Sequence, residues 1–455
     1  MSSLRGMGSN WGRATICSAS RAVLLGAIAW SAFAQAPQLY SRSVFNAASY
    51  TPAGIPGGAI ARGSIFSLFG ARLGPTPPVS SNSFPLPAAL GGITINVIQG
   101  GTSVSAIPLY VSDGQINAIM PSNAPLGMAS IQVASGNVRS NMLPVRIANN
   151  AFGIFTALGI GSGPGVMQNF ITGANQPVNA PTVTAQNGQT ITLYGTGLGP
   201  VTGGDNVAPP AGNLPVKVEV FVGGVSAAVA YSGRSPCCAG LDQIVFQVPD
   251  KTPSGCWVPL YVRTGGTAVS NFVTMAINAS PSTCSTDVLP RANDILVNGG
   301  RFGAAVTLRA TTRQDVAVKA PVDVTADYHF SFGFQDKATT FPFNPGIAAP
   351  PSGTCTFYTL SGDILAGDPL PGLAPAALPL DFGGAFMLTG PKGTKTLSST
   401  FTGGIAGYLG GQISNGILGS TLFLDPGAYT VKGLGGIDVG SFSAAYNIPQ
   451  PLSWT

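Results

Sequence analysis

The sequence has few of the side chains that carry out most enzyme chemistry. Charged residues make up 8% of its 455 residues, against roughly 25% in an average globular protein. His329 is the only histidine and Glu219 the only glutamate. A metal site of three histidines and a His-Glu-x-x-His site are therefore excluded, and a glycosidase would have to pair two aspartates.

The acid and base candidates that do exist lie on one alternating segment, residues 322–334. Asp323, Asp327 and His329 share its polar side, and the two aspartates would be about 13 Å apart on a strand. That distance is too long for either glycosidase geometry, and no Gly-x-Ser-x-Gly motif accompanies His329. We interpret this side as a solvated strand face and expect a protein that is not an enzyme. Whether the C-terminal region has an enzymatic activity is left open.

The chain also lacks an apolar run long enough to span a bilayer, which takes about 20 residues. Arg5, Arg13 and Arg21 precede a shorter apolar run over residues 22–34, which ends in Ala-Phe-Ala. This pattern is typical of a cleavable signal peptide over residues 1–34; an uncleaved anchor is the alternative. The sequence therefore predicts a secreted or cell-surface protein with no integral membrane span once the leader is removed.

The charge balance argues against nucleic acid as a partner. Without the three leader arginines, 21 − 3 = 18 basic residues face 16 acidic ones. A net charge of +2 is too small for a basic nucleic-acid-binding surface.

Glycine and proline are abundant, at 62 and 38 residues, and they punctuate an internal repeat. Residues 63–75 recur as residues 188–200, a shift of 188 − 63 = 125. Each copy is a short alternating strand closed by a glycine-rich turn. Further strands are predicted at residues 93–98, 107–111, 115–120, 129–133 and 142–147, and again at 216–222, 227–231, 242–248, 257–263 and 271–277.

Many short strands without a helical period predict an all-β protein. We expect tandem immunoglobulin-like β-sandwiches at residues 40–148 and 149–280, a linker at 281–300, and a further β-sandwich-like C-terminal domain at 301–455. Residues 46–50 are predicted as a turn-rich entry and 153–156 as a lead-in strand. In the C-terminal domain, strands are predicted at residues 322–334, 385–388, 396–401, 421–424, 428–431 and 442–448.

Three motifs carry a family resemblance: residues 188–199, residues 220–225 and Asp-Gln-Ile-Val-Phe-Gln-Val-Pro at 242–249. Together they resemble an IPT/TIG immunoglobulin-like domain. Residues 46–50, 63–75 and 110–117 are similar to an uncharacterised Solibacter-type secreted domain family. The resemblance implies secretion and immunoglobulin-like sandwiches, and it supplies no catalytic residues.

Five cysteines remain after leader removal, and disulfides are the expected state in an exported chain. Cys237 and Cys238 precede a predicted strand and Cys256 follows it, which puts them roughly 23 Å apart. The next two strands return Cys284 to the end occupied by Cys256, so we predict a Cys256–Cys284 disulfide. Cys237 and Cys238 then either form a vicinal disulfide, or one of them pairs with Cys355.

Ligand sites are weakly indicated. Trp257 and Tyr261 alternate on one predicted strand and could form a flat sugar-stacking face, but core packing is the favoured interpretation. No cofactor is predicted, and calcium is left open as a ligand of loop aspartates and carbonyls. The expected function is an exported scaffold, adhesion or binding protein with an extracellular protein or glycan partner. A carbohydrate-binding or polysaccharide-associated protein is the alternative, and a hydrolase is a further one.

Overall fold

The structure is a computed structural model. It describes residues 36–280 except Pro56, Asn82 and Leu158, and residues 283–284, 300–314, 322–336, 378–379, 383–401, 408–410, 412–415, 421–448 and 450. Every regular element in these ranges is a β-strand, as the fold-class prediction requires. No helix long and apolar enough to cross a membrane occurs among them. The predicted leader, most of the linker, and Cys355 lie outside the described residues.

The first sheet, called here the first sandwich, uses residues 38–148. Its strands pair in the order β1-β3-β7-β6-β5-β8-β10-β2, with β4 on β6 and β9 on β8. They are β1 Gln38–Asn46, β2 Ile60–Ala61, β3 Ile65–Ala71, β4 Val79–Ser80, β5 Ile93–Gln99, β6 Thr102–Val111, β7 Gln115–Ile119, β8 Gly127–Ser135, β9 Val138–Arg139 and β10 Leu143–Ala148.

The second sheet, the second sandwich, uses residues 153–277. Its order is β11-β13-β16-β15-β14-β17-β18, with β12 on β13 and β19 on β17. The strands are β11 Gly153–Ile154, β12 Met167–Asn169, β13 Thr190–Thr196, β14 Val218–Val222, β15 Val225–Arg234, β16 Asp242–Gln247, β17 Gly255–Thr264, β18 Ala268–Val269 and β19 Val273–Ile277.

Each sheet folds over itself because one long strand changes partner halfway. The first part of β6, up to Ala106, pairs with β5, and the rest, from Ile107, pairs with β7. In the second sandwich β15 pairs first with β14 and then, from Ala228, with β16. The layers of each sandwich enclose a separate apolar core, which includes Phe66, Leu68, Ile95, Ile116 and Ile131 in the first and Ile191, Leu193, Val220, Ile244 and Leu260 in the second.

The repeat seen in the sequence extends to residue-by-residue strand pairing. In the first sandwich Phe69 of β3 lies opposite Gln115 of β7. In the second, Tyr194 lies 125 residues after Phe69 and is opposite Gln243, which corresponds to Gln115. The alternating apolar positions of the repeated strand therefore fix the same register twice, since a slip of one residue would turn them out of the core.

The third sheet pairs in the order β20-β21-β25-β24-β23-β27-β28, with β22 and β26 on β21. Its strands are β20 Gly300–Gln314, β21 Val322–Asp336, β22 Leu378–Pro379, β23 Ala385–Gly390, β24 Gly393–Phe401, β25 Tyr408–Gly410, β26 Gln412–Asn415, β27 Gly427–Gly433 and β28 Phe442–Ile448. Its core cluster contains Phe386, Leu388, Phe423, Tyr429 and Val431.

Two expectations for this third sheet are wrong. Residues 421–424 are not a strand; the backbone amides of Phe423 and Leu424 donate to the Asp327 carboxylate at 2.6 and 2.9 Å instead of to a neighbouring strand. Asp327 itself does not lie on a solvated face, since it is 0% exposed. It accepts further hydrogen bonds from Ser414 and Arg309, which compensate for its burial.

Candidate functional site

A buried arginine joins the two sandwiches. Arg234, 2% exposed, donates from Nη2 to the carbonyl oxygens of Gly63 in the first sandwich and Gly199 in the second, both at 2.7 Å. Its Nη1 donates to the carboxylate of Asp242, which is 0% exposed. The two carbonyls come from the repeated motif in each copy, so one side chain holds both motifs together. We call this group the Arg234 joint.

Asp242 links the joint to the glycine-rich turn of the second copy. Its Oδ2 accepts the backbone amides of Gly197 and Leu198 at 2.7 and 2.8 Å. Burial raises the pKa of this carboxyl above its usual value, while Arg234 and the two amides act in the opposite direction. The turn needs a left-handed residue here, with φ 112° at Gly197 and 59° at the equivalent Arg72.

Further direct hydrogen bonds cross between the two sandwiches next to this joint. The Ile65 amide donates to Thr196 Oγ1 at 2.8 Å, and Asn46 Nδ2 donates to the Ala151 carbonyl at 3.1 Å. Ser122 donates from its amide and hydroxyl to the Asp205 carboxylate at 2.7 and 2.6 Å. The contact between the copies is therefore polar, buried and specific, which fixes their relative orientation.

A longer hairpin in the second copy makes this contact. The β6–β7 connection spans residues 112–114, whereas the β15–β16 connection spans residues 235–241. The longer loop contains a disulfide between the adjacent Cys237 and Cys238 and places Ala239 against an apolar cluster with Ile119 and Leu86. A Cβ on Gly240 would come within 2.7 Å of Ile65, so glycine is needed for this close approach.

The other described disulfide joins Cys256 and Cys284, the pair expected from the strand path. Both cysteines are buried, and Trp257 packs against them.

Trp257 and Tyr261 lie beside the apolar core of the second sandwich and not within it, and Trp257 packs against the buried Cys256–Cys284 pair. Along β17 the buried positions are Cys256, Val258, Leu260 and Val262, and the partly exposed ones are Trp257, Pro259, Tyr261 and Arg263. The two aromatic side chains thus share a face, as predicted, but it is the outer one. Arg263, in phase with them, is the signal in the sequence that marks this face as outward.

Neighbouring rings cover Tyr261 on this outer face. Phe221 of β14, directly opposite on one side, stacks on it at 4.8 Å between ring centroids and 11° between planes. Phe272 packs on it at 4.8 Å from the β19 side. Arg263 lies 5.1 Å above the Phe221 ring and forms an ion pair with Glu219 at 2.9 Å. Because the faces of Tyr261 are occupied by protein, the ring is not free to stack on a sugar.

A polar cleft of about 510 Å³ opens on the other layer of the second sandwich. It is lined by Gln168, Gly173, Ala174, Gln176, Thr192, Tyr194 and Gln243, and we call this set the polar cleft. Tyr194 donates its hydroxyl to Gln168 Oε1 at 2.7 Å. Burial raises the pKa of the Tyr194 hydroxyl above its usual value.

Strand register brings the cleft residues together. Gln168 lies opposite Thr192, and Gln243 opposite Tyr194. The alternate residues Met167, Leu193 and Ile244 point into the core, so the four cleft side chains share the outer face. Analysis of the sequence missed this site, because β12 has only three residues and gives no alternation signal.

The first sandwich closes the equivalent surface with aromatic rings. Phe45 occupies the register position of Gln168, and Phe69 that of Tyr194. Phe45, Phe69 and Tyr50 form a trio with ring centroids 6.1–6.3 Å apart. Phe45 is only 7% exposed. The same scaffold therefore carries a closed apolar surface in one copy and an open polar cleft in the other.

The buried acidic residues Asp242 and Asp327 are engaged in structure. Burial would raise the pKa of Asp327, but hydrogen bonds from Arg309, the Leu424 amide and Ser414 outweigh it and leave this pKa below its usual value. Within the ranges that the structure covers, no three His, Cys, Asp or Glu side chains are grouped so as to hold a metal ion. Calcium binding stays a prediction. The side chain of His329 lies outside the described residues.

No protein-family model matches the chain, and no curated protein matches it by sequence. Among solved structures, it is similar to SGBP-B of a Bacteroides ovatus mixed-linkage glucan utilization locus, in complex with a mixed-linkage heptasaccharide. The identity is 12% over 62% of this chain and 66% of that one, with a TM-score of 0.23.

The plexin A4 extracellular region aligns at 11% identity over 59% of this chain and 20% of its own, with a TM-score of 0.19. Domains 5–6 of the S-layer protein SbsC align at 12% identity over 53% of this chain and 98% of their own, with a TM-score of 0.18. Superpositions this poor carry no argument about ligand or function.

Proposed function

We propose that this chain is an exported, non-enzymatic binding or scaffold protein whose two N-terminal sandwiches act as one rigid unit. The observation that carries the proposal is the Arg234 joint. A buried guanidinium shared by carbonyls of both copies holds them at one angle. A fixed pair of sandwiches presents its outer faces and end loops in a constant arrangement, which suits a surface that binds a partner.

The acid and base groups support a non-enzymatic role. Asp327 accepts two backbone amides, a serine hydroxyl and a guanidinium, and Asp242 accepts two amides and Arg234. Carboxylates engaged in this way serve as structural anchors, because moving a proton onto them would break the contacts they hold. The IPT/TIG-like and Solibacter-type resemblance of the repeats fits the same role.

Export is tested by producing the full chain in a bacterial host with an active secretion pathway. We expect the protein outside the cytoplasm with an N-terminus following residue 34, and we expect a chain lacking residues 1–34 to stay inside. Full-length protein retained in the inner membrane would favour the uncleaved anchor.

The binding role is tested by incubating the mature chain with envelope material and with soluble polysaccharides. Bound material is identified by mass spectrometry, and polymer cleavage is followed by release of reducing ends. We expect retention of a partner without cleavage. Cleavage that disappears in the His329→Ala or Asp327→Asn protein would overturn the proposal in favour of a hydrolase.

Carbohydrate binding is the second candidate function. The open, uncharged polar cleft is the observation that favours it.

A further inference from the structure

We propose that the polar cleft of the second sandwich is a binding site for a neutral saccharide. This inference rests on the proposed function as a binding protein and gives it a location and a ligand class. The Gln168, Gln176 and Gln243 amides and the Tyr194 hydroxyl would bond sugar hydroxyls.

The cleft has the size and rigidity of a ligand site. Its volume of about 510 Å³ falls within the roughly 300–1,000 Å³ typical of small-molecule sites. Gln168, Thr192, Tyr194 and Gln243 stand on three paired strands whose opposite face is the core. Side chains carried on sheet strands are held more accurately than those on loops, so little ordering is needed when a ligand binds.

The lining is uncharged and offers both donors and acceptors. Each glutamine amide carries an acceptor oxygen and a donor NH₂ group, which is the combination that a sugar hydroxyl can match. The Tyr194 hydroxyl occupies Gln168 Oε1 and thereby orients the Gln168 NH₂ group. No lysine, arginine, aspartate or glutamate lines the cleft, so an ionic ligand would find no partner there.

The position of the cleft favours a saccharide over a peptide. Peptides that bind sheets usually add a strand to an open edge and place alternate side chains in apolar pockets. The cleft lies on the outer face of β13 and β16, which are paired with each other, and the surface it exposes is almost entirely polar. A lining of polar side chains suits a polyhydroxylated ligand.

The first sandwich shows that the fold does not require this cleft. At the same register, Phe45 and Phe69 pack together and close the surface. The second copy has Gln168 and Tyr194 there and leaves the space open. Stability alone would favour the closed version, because buried aromatic area contributes more than exposed amides.

The test uses affinity electrophoresis of the mature full chain in gels containing dextran, starch, galactomannan or a neutral β-glucan, with alginate as an acidic polysaccharide. We expect retardation by at least one neutral polymer and none by alginate. Gln243→Ala and Tyr194→Ala should each weaken it about tenfold or more, as expected when a polar contact is lost. The matched control is Gln115→Ala, which alters the equivalent position of the first sandwich and should leave retardation unchanged.

Circular dichroism of each variant shows whether a loss of binding comes from unfolding, and Gln168→Glu serves as a second variant that keeps the side-chain shape. Retardation unaffected by Gln168→Glu, Tyr194→Ala and Gln243→Ala would overturn the site. The site would also be overturned if the protein were retained by immobilised peptides and not by polymers, and if that retention depended on Gln243. Absence of retardation by every neutral polymer overturns the saccharide inference. A protein partner captured in the envelope experiment would then still support the binding role.

Discussion

The two sandwiches share the same strand register and differ in loops and outer surfaces that the strands carry. In both, β3 or its copy β13 pairs with the next repeated strand in the same alignment, and the core positions are apolar. Two of their differences are the hairpin at residues 112–114 or 235–241 and the outer surface that holds the cleft. The comparison teaches that the repeated residues specify the scaffold, whereas the joint and the cleft also need residues without a counterpart in the first copy, such as Arg234, Asp242 and Gln168.

The joint illustrates how a small change on a common scaffold gives a new contact. In the first copy the Leu73 amide donates to the carbonyl of Asp113 at 2.8 Å. In the second copy the equivalent Leu198 amide donates to the Asp242 carboxylate instead. This exchange places a buried acid beside the turn, and the acid in turn holds Arg234 against both copies.

The largest effect is expected from breaking this joint. Arg234→Met removes the guanidinium and leaves Asp242 buried without its cation, which should lower the free energy of unfolding by about 3–5 kcal/mol. Denaturant unfolding of the full chain measures the loss. Exchange of the Ile65 amide, which bonds across the joint to Thr196, reports whether the copies separate.

Arg263→Met is the control for that substitution. Arg263 also pairs with a carboxylate, but at the surface, where solvent screens the ion pair, so a much smaller loss of stability is expected. Equal losses for the two variants, or unchanged exchange at Ile65 in Arg234→Met, would contradict a rigid joint.

The sequence was sufficient to predict the repeat, the all-β class and, apart from β1, the strands of both copies that have five or more residues. It did not reveal β1, because exposed and buried residues do not alternate along this strand and a bulge falls between Leu39 and Val44. It also suggested a strand at residues 421–424, where the apolar side chains are buried but the amides bond a carboxylate. Alternation predicts which side chains share a face, and it cannot show what the backbone pairs with.

A second prediction compares the two outer surfaces. Phe45→Ala removes a ring that is 7% exposed and should lower the free energy of unfolding by about 3 kcal/mol. Gln168→Ala at the same register should cost under about 1 kcal/mol, because only one side-chain hydrogen bond is lost at the rim of a solvated cleft. Thermal and urea unfolding of both variants give these values. A larger loss for Gln168→Ala would mean that the cleft is a structural element of the second sandwich.

A third prediction concerns a Ser-Asn pair that occurs in both copies. Asn141 bonds the amide and carbonyl of Leu39 at 2.8 and 3.0 Å. Asn271 does the same with Ile154 and also donates to the Gly161 carbonyl at 2.8 Å. At about 1 kcal/mol per hydrogen bond, Asn271→Ala should cost about 1 kcal/mol more than Asn141→Ala. Urea unfolding of the two variants tests the order, and a larger loss for Asn141→Ala would contradict it.

The candidate site could be predicted only in part. The sequence shows that Trp257 and Tyr261 share a face and that Cys256 can reach Cys284. The Arg234 contact was not foreseeable, because two of its acceptors are backbone carbonyls, one of them 171 residues away. The cleft depends on Gln168, which β12 brings beside Thr192 across a loop. Local patterns therefore indicate faces and turns, while sites assembled from distant segments need the structure.

The smallest effect expected is a pH dependence that separates the closed surface from the open one. Burial raises the pKa of the Tyr50 hydroxyl, with a hydrogen bond involving Ser67 acting against it. A group whose pKa is raised by folding adds stability below its unfolded pKa, about 10 for tyrosine, and loses it as the pH rises through the folded value. Raising the pH from about 9 to about 11 should therefore destabilise the parent protein more than Tyr50→Phe, which has no hydroxyl to ionise.

Tyr194→Phe should change this slope of stability against pH less, because Tyr194 lines an open cleft and Tyr50 packs within an aromatic trio. Urea midpoints at the two pH values provide the measurement. If Tyr194→Phe flattened the slope more than Tyr50→Phe, the second copy would be the more closed surface, and the assignment of the cleft as the open one would fail.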